Sequence, residues 1–255
     1  MNFQVDPGLL AAFLLALIRS SAWVAISPPF NTRAIPTLVK IGVASSLAMC
    51  VAPKLAATTP SDFDTTFLIS AAISQVAIGL ALGFITLLML SAIQAAGSLI
   101  DLFGGFTLAQ AYDPFLNAQS SLFGRTYQLA ATTLLFAIDG HVLVVRGFLT
   151  SFQILGVGGI GSSELARLVT HDFGTFFVAA LEIAAPLLAS LFLAELVLGL
   201  LSKAAPQMNV LALSFPFKIL LTLTLAGFAI PLLPGALSHL LHDAVSHGTR
   251  LVGGG

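Results

Sequence analysis

Long apolar runs alternate along the chain with short stretches of proline, glycine and charge, and each run predicts one or more helices. The first covers residues 8–26 and is interrupted by Arg19. The second, residues 34–57, contains Lys40 and lies between Pro28, Pro29 and Pro36 on one side and Pro53 and Pro60 on the other. Those prolines mark loops. The third, residues 65–100, has no charged residue across 36 positions. As one helix it would be about 54 Å long, against a hydrocarbon core of about 30 Å. A single span would need a tilt beyond the usual range of about 0–40°, so the run either bends back as a hairpin or extends past the lipid. Three more runs follow: residues 126–155, with Asp139-Gly140-His141 and Arg146; residues 173–201, with Glu182, Pro186 and Glu195; and residues 210–241, with Pro216, Lys218, Pro231 and Pro234. The pattern predicts six or seven helices in a single domain over residues 1–255.

Composition turns this pattern into a class. Of 255 residues, 57% are hydrophobic and 8% charged, with a mean hydropathy of +1.01. A soluble chain carries about 25% charged residues to solvate its surface. Lipid or partner subunits must therefore cover much of this one, which makes it an integral membrane protein. With 10 Lys and Arg against 11 Asp and Glu the net charge is −1, and no basic stripe suggests a nucleic-acid partner. The single cysteine, Cys50, excludes an internal disulfide framework and a cysteine-clustered metal site, and is expected as a small buried apolar side chain. The first six residues contain Asp6 and no Lys or Arg, unlike a signal peptide, so the first run is expected to be retained. Arg33 and Lys40 after that run slightly favour an outward N-terminus. The closing Gly-Gly-Gly is read as a frayed tail or cloning remnant.

Catalytic motifs are missing: no Gly-x-Ser-x-Gly elbow, no His-Glu-x-x-His, and only a weak dyad in Asp101 and Asp113. His239 and His242 have the i, i+3 spacing of metal ligands, but a solvated helix end explains them more simply, and neither metal nor cofactor is expected. The glycines of residues 156–161 echo a dinucleotide fingerprint without its preceding strand and read as a flexible loop. The informative residues are lone charges in apolar runs: Arg19, Lys40, Glu182, Glu195 and Lys218. Each costs about 2.5–3.5 kcal/mol to insert into lipid, so each should face a polar path, a partner or one of the others. Glu182 and Glu195 are 13 apart, about 220° beyond three full turns, and do not share a stripe. A protonatable coupling site for a solute carrier remains an alternative to structural pairing, although the inverted repeats of such carriers are not visible. Gly79 and Gly83, with Ala72 and Ala96 in the same run, form a small-residue face for close helix packing within the chain or against another.

Residues 102–125 differ from their surroundings by mixing glycines, aromatics and amides. The segment is too polar for a lipid-facing helix and too apolar for a hydrated linker, which suits nonhelical backbone lining a cavity. Phe103, Phe106, Leu108, Tyr112 and Phe115 would form an apolar constriction there, with glycines permitting movement. The alternative is a surface loop with a turn at Asp113-Pro114.

Several features in order then resemble the FliR family of flagellar type III export-gate proteins, whose virulence counterpart is SctT. They are Arg19, Pro28 with Arg33-Ala-Ile-Pro36, Ile78-Gly-Leu-Ala-Leu-Gly-Phe84, Gly97, the glycine- and aromatic-rich segment with Asp113-Pro114, and Asp139-Gly-His141. Ala185-Pro186, Leu198-Gly-Leu-Leu201, Ala205-Pro-Gln-Met-Asn-Val210 and Phe215-Pro216 complete the set, which spans nearly the whole length. The resemblance implies an all-α fold of membrane-associated helical hairpins in a helical export-gate assembly at the base of the flagellar basal body in the bacterial inner membrane. It implies no enzymatic activity. Its implied partners are FliP, FliQ and FlhB homologues, membrane lipid, and the unfolded substrate polypeptides that cross the gate. It also implies a pore plug within residues 103–125, carried by Phe103, Gly104, Gly105, Phe106, Leu108, Tyr112, Asp113, Pro114 and Phe115. The chain departs from the family at Gln75, where many relatives carry an acid, and at Asp139, where Asn is common.

Overall fold

The computed structural model describes residues 6–57, 64–106, 121–157, 161–207 and 209–253, and all regular structure among them is helical. Helix α1 (Pro7–Ile26) opens on Asp6, whose Oδ1 accepts from the Gly8 N–H at 3.0 Å, with Pro7 where a missing donor is harmless. It stops at Ser27, before Pro28 and Pro29. Then come α2 (Thr37–Ala56), α3 (Thr65–Gly104), α4 (Leu122–Ala137), α5 (Gly140–Leu155), α6 (Ser162–Ala204) and α7 (Val210–Ala229). A 3₁₀ turn (Ile230–Leu232) and α8 (Leu233–Gly253) complete the order. Among the described residues, five helical stretches are long and apolar enough to cross a membrane: α1, α2, α3, α6 and residues 212–243 of α7 and α8. As one broken span, α4 and α5 make a sixth.

At five places the structure decides or departs from the hydropathy pattern, each for a local reason. The third run does not fold back: α3 is one helix of 40 residues, about 60 Å long, because it contains no proline and mid-helix glycines weaken a helix without ending it. The fourth run divides at Asp139, a non-glycine residue in the left-handed region at φ 55°. Helix α6 begins eleven residues before residue 173, since Glu164, Arg167, His171 and Asp172 lower hydropathy without opposing helix formation. It also passes through Pro186 without a break. Pro231 lies in the 3₁₀ turn that separates α7 from α8.

Two compact units make up the chain, each from non-contiguous segments. One comprises residues 1–89, 139–174 and 241–255. Its core lies between α1, α2 and α5, where Trp23 stacks on Phe148 at 4.4 Å and Phe148 meets Phe152 edge-on at 5.3 Å. Ala12, Ala16, Ala44 and Ala48 let α1 and α2 approach closely along this core. Within the same unit the backbone of α1 runs over Gly79 and Gly83 of α3: a Cβ on Gly79 would collide with the Arg19 carbonyl, and one on Gly83 would lie 3.0 Å from the Trp23 carbonyl oxygen. The small-residue face thus seats a helix of its own chain. The other unit comprises residues 90–138 and 175–240, and packs Ala92 of α3 against Ala179 and Ala180 of α6. Many large apolar side chains stay outward, among them Leu38 at 81% and Phe228 at 75% exposure, surface that lipid or neighbouring subunits must cover.

Candidate functional site

The functional segment expected from the sequence begins where α3 ends. Phe103 and Gly104 lie in the last turn of α3 and residues 122–125 in the first turn of α4, so both ends of residues 102–125 are helical. Phe103 is exposed. Gly104 sits against Thr222 of α7, where a Cβ would come within 2.7 Å of the hydroxyl oxygen, and Gly105 takes φ +84°, the left-handed conformation that ends helices. Phe106 meets Phe123 of α4 edge-on at 5.3 Å. Leu108, Tyr112, Asp113, Pro114 and Phe115 lie outside the described residues, as does all of residues 107–120.

What the structure adds is a neck joining the two ends of that segment. Asp101, fully buried in α3, presents Oδ2 to the Ser121 hydroxyl, to the Phe123 N–H at 2.9 Å and to the Gly124 N–H at 3.4 Å. These are the first groups of α4, whose leading N–H groups have no partners within the helix and carry its positive end. Ser121 is also the N-cap and accepts from the Gly124 N–H at 2.8 Å. Gly97, one turn before Asp101, lets α4 close onto α3: a Cβ there would lie 2.5 Å from the Phe123 carbonyl oxygen. Asp101, Ser121, Gly97 and the Phe106–Phe123 pair therefore hold Phe106 and Ser121, the described residues on either side of residues 107–120, against α3 and α4. Sequence reasoning weighed Asp101 only as a possible dyad. The better signal was Ser121, a capping residue at the start of a helical pattern, beside which a helix N-terminus favours a negative charge.

A second polar centre surrounds Arg19, which is fully buried. Its Nε donates to Gln75 Oε1 at 2.5 Å, Nη1 to Ser151 Oγ at 3.3 Å and Nη2 to the Gly156 carbonyl at 2.9 Å. The guanidinium carbon stands 4.1 Å from the centroid of the Phe152 ring. The Gln75 amide donates onward to the carbonyls of Gly156 and Val157. One cation thereby ties α1, α3, α5 and the turn after α5 together through neutral acceptors and an aromatic face.

The remaining charges are dispersed. Lys40 donates to the Thr32 carbonyl at 3.0 Å, and Lys218 of α7 pairs with Glu195 of α6 at 2.9 Å. Glu182 is exposed on α6. Cys50 is exposed, not buried, because it falls on the outer side of α2 near its C-terminal end. Among the described residues no three His, Cys, Asp or Glu side chains converge as metal ligands.

Comparison with known proteins bears on the chain as a whole. The family described as bacterial export proteins, family 1, matches residues 10–244. The flagellar biosynthetic protein FliR of Bacillus subtilis is 34% identical over 223 residues, 86% of this chain and 85% of the relative. FliR of Escherichia coli is 29% identical over 228 residues, covering 89% and 87%. The secretion system apparatus protein SsaT of Salmonella typhimurium is 26% identical over 252 residues, covering 96% and 95%.

Proposed function

We propose, from the fact that this chain belongs to the bacterial export proteins, family 1, that it is a non-enzymatic subunit of a flagellar type III export gate in the bacterial inner membrane. The match over residues 10–244 carries the reading, and the five described helical stretches able to cross a membrane support it. In this reading the chain assembles with FliP and FliQ homologues, contacts an FlhB homologue, and surrounds a path for unfolded substrate polypeptides. Residues 103–125 act as the plug, with Phe103, Gly104, Gly105 and Phe106 at its base and Leu108, Tyr112, Asp113, Pro114 and Phe115 in its body. The buried Asp101 fastens both ends of that segment, which suits a closure that must hold its place while its middle yields. The outward apolar side chains of α6 and α7, such as Leu193, Val197 and Leu220, offer surface for neighbouring subunits or lipid.

A virulence-type secretion gate is the second reading, favoured by the likeness to SsaT over 96% of this chain. The flagellar reading is preferred because the FliR of Bacillus subtilis stands at 34% identity, against 26% for SsaT. Coexpression with FliP and FliQ homologues, followed by purification through a tag on this chain in mild detergent, should yield one large complex containing all three. A stable lone monomer at every expression ratio would refute the assembly.

A further inference from the structure

One opening of the first unit belongs neither to the neck nor to the interior of the Arg19 network: a cleft of about 340 Å³ between the C-terminal ends of α2 and α5. Its volume lies within the range of about 300–1,000 Å³ typical of small-molecule sites. The wall is apolar, formed by Val51 and Leu55 of α2 with Leu149 and Phe152 of α5. Lys54 and Gln153, both exposed, supply the polar lining. Among the described residues, no carboxylate lines the cleft. Helix C-termini ordinarily make such a place unfavourable to anions, because their last carbonyls carry negative partial charge. Here the carbonyl of Gly156, a residue that lines the cleft, already accepts from Arg19, and the Phe152 ring lies against the Arg19 guanidinium. Two cations thus bear on the cleft: Lys54 directly, and Arg19 from behind the wall.

We propose that this cleft binds an anionic phospholipid. The Lys54 ammonium takes the phosphate, the Gln153 amide hydrogen-bonds the glycerol or head group, and the first acyl methylenes lie on Val51, Leu55, Leu149 and Phe152. Charge complementarity selects an anion, and the apolar wall selects one with a hydrocarbon tail. The position fits as well: α2 is apolar enough to cross a membrane, and a lysine in its last turn stands where a span meets the head groups.

The chain carries its own reporter, since its single cysteine, Cys50, is exposed and lines the same cleft. The experiment follows alkylation of Cys50 by N-ethylmaleimide, read by intact mass, on the full-length chain in neutral detergent micelles. Dioleoylphosphatidylglycerol should slow the reaction saturably by about fivefold, the gain from one lysine near an anionic head group. Dioleoylphosphatidylcholine at the same mole fraction should slow it less than about twofold on the same scale. Free glycerol 3-phosphate should leave the rate unchanged. Lys54→Glu should reduce the phosphatidylglycerol effect to the phosphatidylcholine level, while Lys54→Arg retains it. If Lys54→Glu does not fold, Lys54→Gln is read by the same rate and by native mass counts of bound lipid. Equal protection by both lipids, equal protection by glycerol phosphate, no protection, or slowing that survives loss of the lysine charge would each overturn the proposal. The last outcome would reduce the effect to the surface potential of the micelle.

Discussion

At the residue scale, Asp101 and Arg19 are both buried charges, held in opposite ways. Asp101 faces backbone donors at a helix N-terminus, so its removal leaves the Phe123 N–H buried without a partner, whereas Gly124 keeps Ser121. Asp101→Ala should therefore cost about 2 kcal/mol, and Asp101→Asn, whose amide oxygen still accepts, about 1 kcal/mol. Thermal unfolding of the purified protein in detergent measures both, and an unchanged midpoint for the alanine variant would remove the clamp. Arg19 divides three donors among three partners, a geometry that a lysine ammonium on a flexible stem does not reproduce. Arg19→Lys should destabilise by about 1–3 kcal/mol. A double-mutant cycle with Gln75→Ala should return a coupling of about 0.5–3 kcal/mol, and additivity within error would mean the 2.5 Å contact contributes nothing. The sequence marks Arg19 as a lone cation in an apolar run. Its partners carry no comparable signal, because they lie 56, 132 and 137 residues away and one is a backbone carbonyl.

Hydropathy places the apolar runs better than the helices within them: it predicts six or seven helices, whereas eight α-helices stand among the described residues. The pattern locates every apolar run, yet it misses the break at Asp139, which depends on one backbone conformation, and the polar first turns of α6, which depend on propensity. It also leaves open which small residues in α3 meet another helix, since a glycine in contact and a glycine facing outward look alike in a sequence. Their substitutions should separate them. Gly79→Ala and Gly97→Ala place a methyl against backbone carbonyls that cannot rotate away, and each should lower stability by about 1–3 kcal/mol. Gly42→Ala in α2 and Gly199→Ala in α6 meet nothing within 4 Å and should raise it by about 0.5–1 kcal/mol through helix propensity alone. Denaturation midpoints of the four single variants give the test; the same sign throughout would contradict the helix contacts described for α3.

For the whole molecule, the question is whether residues 107–120 close a conduit or merely join two helices. If they close one, the barrier resides in the segment while its placement resides in the neck, so the two should be separable. Deleting residues 107–115 while retaining Phe106, Ser121 and Asp101 leaves the Asp101 and Ser121 contacts and the Phe106–Phe123 pair available at both ends. Shortening a connecting segment changes its closure entropy by little, about 0.6 kcal/mol for each halving in length, so the assembly should form in normal yield. Membrane vesicles containing the deleted gate should then lose an imposed ion gradient faster than vesicles with the intact gate, by on the order of tenfold if an apolar constriction is the main barrier. Asp101→Ala, which frees the ends but keeps every aromatic side chain, should leak to an intermediate degree. An assembled deletion variant that holds its gradient as well as the parent would make the segment a connector, and an Asp101→Ala variant that leaks more than the deletion would move the barrier from the segment to the neck.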